Sequence, residues 1–246
     1  MGKPLTLLAS VACYGAFFVA FVYLVGFIAG IDALPTTVDK GMYGSTGTAI
    51  VVDVLLIALF GVQHSVMARP GFKAAWTKVV PAPIERSAYC LASALALAAL
   101  FAFWHPLDGA LWLIANPTAR IVLWALMLAG FGIVFVATFL INHFELFGLK
   151  QAWDHFRSAE PAPSKFRTPL FYKWVRHPIY TGFLLALWAT PDMTYSHLLL
   201  AAGMSVYIFI GIAHEERDLV GYFGQTYVEY RRTVGMVIPG VGRKGS

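Results

Sequence analysis

The chain has 246 residues, of which 59% are hydrophobic and only 13% charged, with a formal net charge of +5. An ordinary soluble domain carries about 25% charged residues, so this composition excludes one and makes the bilayer the natural solvent. Cys13 and Cys90 are lone residues in separate apolar segments, without disulfide-framework or metal-type spacing, and read as packing residues.

Hydrocarbon about 30 Å thick demands ~20 apolar residues of helix, because each backbone N–H and C=O has to be satisfied inside its own segment. Leu5 to Gly30 meets this demand. Its apolar run continues through Phe21 and Tyr23 to Ile28, longer than a signal-peptide core of ~7–15 residues, and reads as a retained first span. Gly47 to Ala68, Ser87 to Trp104 and Ala119 to Ile141 are three further spans, bounded by charged or proline-containing loops. Ile179 to Ala213 is interrupted by Thr190-Pro191-Asp192. It reads as a helical hairpin whose first arm, about a dozen residues, is ~18 Å long. The polar stretch from Gln151 to Phe171, with Pro161, Pro163 and Pro169, reads as a loop. The expected fold is an all-α integral membrane protein, a polytopic bundle of about five to six transmembrane helices ending in a helical hairpin and a helical tail. Residues 1–246 are expected to form a single domain, with no internal repeat.

Lys and Arg placement sets the orientation. Arg69, Lys73, Lys78 and Arg86 lie between spans two and three, and Lys150, Arg157, Lys165, Arg167, Lys173 and Arg176 between span four and the hairpin. Both loops are expected to be cytoplasmic. The loops around Asp32 to Lys40 and His105 to Thr118 are poor in positive charge, and the tail carries Arg217, Arg231, Arg232, Arg243 and Lys244. Both termini are then expected to be cytoplasmic, in a multi-pass membrane protein. The positive charge of these loops suits anionic lipid headgroups or an anionic soluble ligand and does not argue for nucleic acid. Asp53 lies inside span two, eleven residues before His64, hence on nearly the same face but ~16 Å away. It is expected to bind an internal polar group, to line an entry path, or to be held protonated by a neighbouring helix.

Two clusters carry chemistry. In Arg176-His177-Pro178-Ile179-Tyr180-Thr181-Gly182 a proline opens an apolar helix, and the free N–H groups of that helix end attract an anion. Arg176 would add a bidentate grip on a carboxylate, or simply mark the membrane interface with His177. At the far end of the hairpin stand His214-Glu215-Glu216-Arg217-Asp218. On a helix Glu215 and Glu216 point about 100° apart, so one faces the bundle while the other meets Arg217 or solvent. A solvated helix end with an amphipathic tail is the plainer alternative.

Together, Arg-His-Pro-x-Tyr-x-Gly, a hydrophobic span, Glu-Glu-x-x-Leu at Glu215 to Leu219 and Phe-Gly-x-x-Tyr-x-x-Tyr at Phe223 to Tyr230 resemble the carboxy-terminal signature of the isoprenylcysteine carboxyl methyltransferase and phospholipid methyltransferase superfamily. The resemblance covers about residues 171–232 and implies S-adenosylmethionine bound at the cytosolic side by His177, Pro178, Tyr180, Gly182, Glu215 and Glu216. Gln63-His64-Ser65-Val66-Met67-Ala68-Arg69 and Asn142-His143-Phe144-Glu145-Leu146-Phe147-Gly148-Leu149 are similar to the bacterial methanethiol S-methyltransferase branch. That branch methylates methanethiol to dimethyl sulfide, and the related NnrU branch shares the His-Ser element. The resemblance implies a small-molecule thiol and membrane lipids as partners, with no obligate protein partner.

Sulfur methylation needs a thiolate, and even a Cys thiol has a pKa of about 8.5. His64, His143 and Glu145, placed by the topology at one depth, are candidate bases. Tyr180, Trp174 and Tyr227 are positioned for cation–π contact with a sulfonium. Other readings stay open: two histidines ligating haem iron, a lipid or prenylcysteine substrate, a nonenzymatic role in nitrogen-oxide metabolism, and a nicotinamide-dependent reductase, although no dinucleotide glycine fingerprint is present.

Overall fold

The structure, a computed structural model, describes residues 2–160 and 166–243; Pro161, Pro163, Lys165 and Lys244, invoked above, lie outside them. In chain order the helices are α1 (Lys3–Ile28), α2 (Thr46–Met67), α3 (Pro70–Trp76), α4 (Ala82–Phe103), α5 (Pro117–Ile141), α6 (His143–Leu146), α7 (Leu149–Arg157), α8 (Pro178–Trp188), α9 (Tyr195–Phe223) and α10 (Gln225–Thr233). Two short strands, β1 (Ala110–Leu113) and β2 (Asp192–Thr194), pair into a ribbon. Helices α1, α2, α4, α5 and α9 are each long and apolar enough to cross a membrane, and α8, with 11 residues, is the short arm of the hairpin. The chain is an all-α, multi-pass membrane protein.

Proline sits in the first turn of α1, α3, α4 and α8 and opens α5, where its missing N–H removes no helical bond. Ser45 caps α2 by accepting a bond from the Thr48 N–H. The helices expose many Leu, Val, Ile and Phe side chains, as expected where the solvent is lipid. The sequence reading differs from the structure after Gln151, where α7 replaces the start of the expected loop. Leu149, Trp153 and Phe156 recur at i, i+4 and i+7 and make one apolar stripe on a short helix otherwise rich in charge. Nine residues give too few turns for that period to stand out.

The chain folds as two compact units. The first comprises Met1–Leu111, Asn142–Pro163 and Thr194–Leu200. In it α4 packs against α1 and α2, and α7 packs against α1 and α4. Leu100 and Trp104 are fully buried, the Phe27 and Phe101 rings lie 5.1 Å apart, and the Trp104 indole donates to the Val38 carbonyl at 2.9 Å. Asp53 is fully buried and its Oδ1 accepts the His105 backbone N–H at 2.9 Å. Of the roles open to it from sequence, the structure shows the bond to an internal polar group, one that caps the chain as it leaves α4.

The second unit comprises Trp112–Ile141, Ser164–Met193 and Ala201–Ser246. Its helices α5 and α8 cross at a pair of glycines. A Cβ on Gly130 would lie 2.6 Å from the Gly182 carbonyl oxygen, and one on Gly182 would lie 2.5 Å from that of Gly130. Only glycine allows backbones this close, the small-residue packing typical of helices in lipid. Arg120 grips Asp192 through two 2.6 Å bonds, so the acidic residue that interrupts the hairpin is neutralised by a cation at the start of α5.

Candidate active site

In the second unit the two sequence clusters meet. Arg176 and Glu216 are both buried, at 3% and 2% exposed. Glu216 Oε1 accepts from Arg176 Nε at 2.7 Å and from His177 Nε2 at 3.3 Å and lies 2.7 Å from Arg176 Nη2 in an ion pair, and Oε2 lies 3.6 Å from Arg231 Nη1. Arg176 also donates from Nη1 to the carbonyls of Arg231 (3.3 Å) and Val234 (2.5 Å), and from Nη2 to that of Gly242 (3.1 Å). Every guanidinium nitrogen is thereby engaged within the protein, and the carboxylate that Arg176 grips is that of Glu216. Arg176 ties the start of α8 to α9 and to the chain after α10.

That carboxy-terminal segment is held by backbone as well. The N–H groups of Arg176 and His177 donate to the Gly235 and Met236 carbonyls at 2.8 and 3.1 Å, and the Thr181 hydroxyl donates to that of Val237 at 2.8 Å. A Cβ on Gly235 would lie 2.2 Å from the Ile238 carbonyl oxygen, so glycine is required where the segment folds back on itself.

Glu215 points away from Glu216, as expected of adjacent helical positions. Its side chain is 41% exposed and accepts from the Tyr180 hydroxyl at 2.9 Å, while the Tyr180 and His177 rings lie 5.6 Å apart. Pro178 opens α8 beside His177. Gly182 belongs to the helix crossing with Gly130, and Trp174 is 61% exposed. Tyr227 is 2% exposed, and its hydroxyl is buried with no hydrogen-bond partner among the described residues. Burial, followed by the nearby carboxylates of Glu216 and Glu215, pushes its pKa up. Burial likewise pushes Tyr230 up to about 12, against the opposing charge of Arg176. Both phenols keep their protons at neutral pH, so Tyr227 holds an unspent donor inside the cluster.

The three remaining candidates lie in the first unit. His143 is 5% exposed in α6, with Nε2 at 2.7 Å from the Tyr14 hydroxyl and its ring 4.8 Å from that of Phe147, edge-on. Burial lowers its pKa. Glu145 serves the same turn differently: Asn142 caps α6 by accepting from the Glu145 N–H at 3.4 Å, and Glu145 Oε2 accepts from Asn142 Nδ2 at 2.5 Å. The exchange resembles a capping box. The Asn-His-Phe-Glu stretch is therefore a capped single turn that delivers His143 inward and Phe144, 53% exposed, outward.

His64 lies near the end of α2, its Nδ1 3.0 Å from Ser93 Oγ and its ring stacked on Phe60 at 5.3 Å. Ser93 spends its proton on the Tyr89 carbonyl at 3.0 Å. It therefore accepts from His64 Nδ1–H, which leaves Nε2 as the unprotonated nitrogen of the neutral ring. Arg86, unremarked in the motifs, donates to the Leu146 carbonyl at 2.8 Å and stands over the Tyr89 ring at 5.2 Å. It links the His143 turn to α4. Tyr14 gave no sequence signal, being one aromatic among many in an apolar run.

The NnrU protein family matches residues 53–237. Methanethiol S-methyltransferase 1 of Bradyrhizobium diazoefficiens is 49% identical over 96% of this chain and 83% of its own. The methanethiol S-methyltransferase of Crocosphaera subtropica is 46% identical over 99% of this chain and 95% of its own. That of Pseudomonas deceptionensis is 52% identical over 87% and 82%. No solved structure matches. With Arg176, His177, Glu215 and Glu216 gathered in one polar cluster, and with the match spanning most of the chain, this protein belongs to the NnrU family and groups with its relatives named methanethiol S-methyltransferase.

Proposed function

We propose that this chain is an S-adenosylmethionine-dependent thiol methyltransferase that converts methanethiol to dimethyl sulfide. Its place would be a bacterial inner membrane, with termini and pocket on the cytoplasmic side. The observation that carries the reading is identity of 46–52% along nearly the whole chain to relatives bearing that activity in their names. It favours thiol methylation over the haem, reductase and lipid-substrate readings.

The second unit suits the methyl donor. S-adenosylmethionine offers carboxylate and hydroxyl acceptors as well as ammonium and hydroxyl donors, and the cluster holds a complement to each. The buried Tyr227 hydroxyl is a donor without a partner among the described residues, and Glu215, 41% exposed, is an acceptor. His177, Tyr180, Glu215 and Tyr227 are the residues assigned to contact it. Arg176 and Glu216 hold their frame, Pro178 opens the helix that carries them, and Gly182 sets that helix against α5. When bound, this group supplies an electrophilic methyl on a sulfonium.

The thiol has to lose its proton for its sulfur to form the new bond. His143, kept neutral by burial and oriented by Tyr14, is assigned to accept that proton. The Nε2 of His64 is the second candidate, and Glu145 is assigned to shape the turn that carries His143. Atoms balance as methanethiol plus the sulfonium giving dimethyl sulfide, S-adenosylhomocysteine and a proton. Headspace analysis of purified protein in nanodiscs, given methanethiol and S-adenosylmethionine, is expected to show dimethyl sulfide with equimolar S-adenosylhomocysteine. Folded protein that turns over neither compound would contradict the reading.

A further inference from the structure

The first unit contains a cavity of about 450 Å³ lined by Leu7, Asn142, Phe144, Leu149, Lys150 and Trp153. Its walls are apolar except at Asn142 and Lys150. The Asn142 side chain is engaged with Glu145, and Lys150 is the charged group that lines the cavity among the described residues. It is paired with Asp154 at 2.5 Å, with its side chain 38% exposed.

The depth of this groove is fixed by its walls. Leu7 lies one turn into α1, and Asn142 is the first residue after α5, so the groove opens where spanning helices begin and end. Helix α7 lies along it as an amphipathic interfacial helix. Its stripe of Leu149, Trp153 and Phe156 runs beside a second of Lys150, Asp154 and Arg157. Trp153 and Phe156 are 47% and 40% exposed and stack at 5.8 Å, and the Arg157 guanidinium stands 6.0 Å over the Trp153 ring. Lys3 donates to Ser158 and moors the end of α7 to the start of α1.

We propose that this groove is a phospholipid site, with an acyl chain between Leu7, Phe144, Leu149 and Trp153 and the lipid phosphate at Lys150. A slot that is apolar along its length and carries at one edge the ammonium of Lys150, which can turn from Asp154 toward a phosphate, matches a molecule with a long chain and an anionic head. By the Lys and Arg placement this is the cytoplasmic leaflet. Occupancy would brace α7 against α1 and thereby steady the capped turn that precedes it, the turn that carries His143.

Native mass spectrometry of delipidated full-length protein tests this directly, with dioleoyl phosphatidylglycerol as the probe and inorganic phosphate as the comparison. Wild type is expected to show a first lipid adduct that saturates at one equivalent. Leu7→Trp, which fills the groove, should abolish it, and Lys150→Glu, on a partly exposed side chain, should weaken it about tenfold. Melting curves identify a variant that has merely unfolded, and Lys150→Glu then decides alone. A ladder of adducts without saturation, a first adduct unchanged in both folded variants, or equal retention of inorganic phosphate would each overturn the proposal.

Discussion

Replacing Glu216 with alanine is expected to destabilise the protein by about 3–5 kcal/mol, the cost of leaving one member of a buried ion pair without its partner. The size follows from burial. Arg176 and Glu216 are 3% and 2% exposed, and water cannot take over the guanidinium bonds that the carboxylate gives up. The loss would spread, because the same guanidinium holds the carbonyls of Arg231, Val234 and Gly242. Glu216→Gln keeps an acceptor beside Arg176 and should lose less. Denaturant or thermal unfolding in detergent measures both. Equal, small losses in the two variants would mean that the pair is better solvated than its geometry shows.

The largest effect on rate is expected at His143. A positioned acid or base contributes about 10²–10⁴-fold, so His143→Gln should lower kcat by that range while leaving S-adenosylhomocysteine binding near wild type. The pH dependence carries the same signature. Burial lowers the His143 pKa, so the ring stays neutral below the ordinary imidazole value of about 6.5, and wild-type turnover should hold to correspondingly lower pH. Stability follows by linkage. The unfolded chain takes up a proton near pH 6.5 that folded His143 resists, so the contribution is complete above that pH and is lost as pH falls through the lowered folded pKa. His143→Gln should lack this part of the acid sensitivity. An unchanged kcat would move the base to His64, whose Nε2 is the alternative acceptor.

The long spans were legible because about twenty apolar residues have few alternatives to a membrane helix, and α8 was legible as a short arm because Thr190-Pro191-Asp192 cuts the run. Helix α7 was hidden, since nine residues mixing Trp153 and Phe156 with Lys150, Asp154 and Arg157 show charge more plainly than period. At the site, residue types revealed which side chains are polar but not how their bonds are shared. Arg176 looked like a ligand grip and has every guanidinium nitrogen engaged within the protein. Gly182 looked like part of a binding turn and is a contact point for α5. Tyr227 was named for its location alone; its unpartnered hydroxyl depends on how α10 folds against the start of α8. Asp53 had three roles open, and its bond to an internal polar group became visible only with the position of the His105 N–H, more than fifty residues on.

The most direct test of the central claim is calorimetric titration of the purified, folded protein with S-adenosylhomocysteine, alongside Tyr227→Phe. Removing a hydroxyl that bonds nothing among the described residues should leave the melting temperature unchanged or raise it, whereas losing its bond to the ligand should weaken binding about 5- to 10-fold. One equivalent bound by wild type, and weaker binding to an equally stable variant, is the predicted result. No binding by wild type that melts cooperatively would contradict assignment of the cluster to an S-adenosylmethionine site.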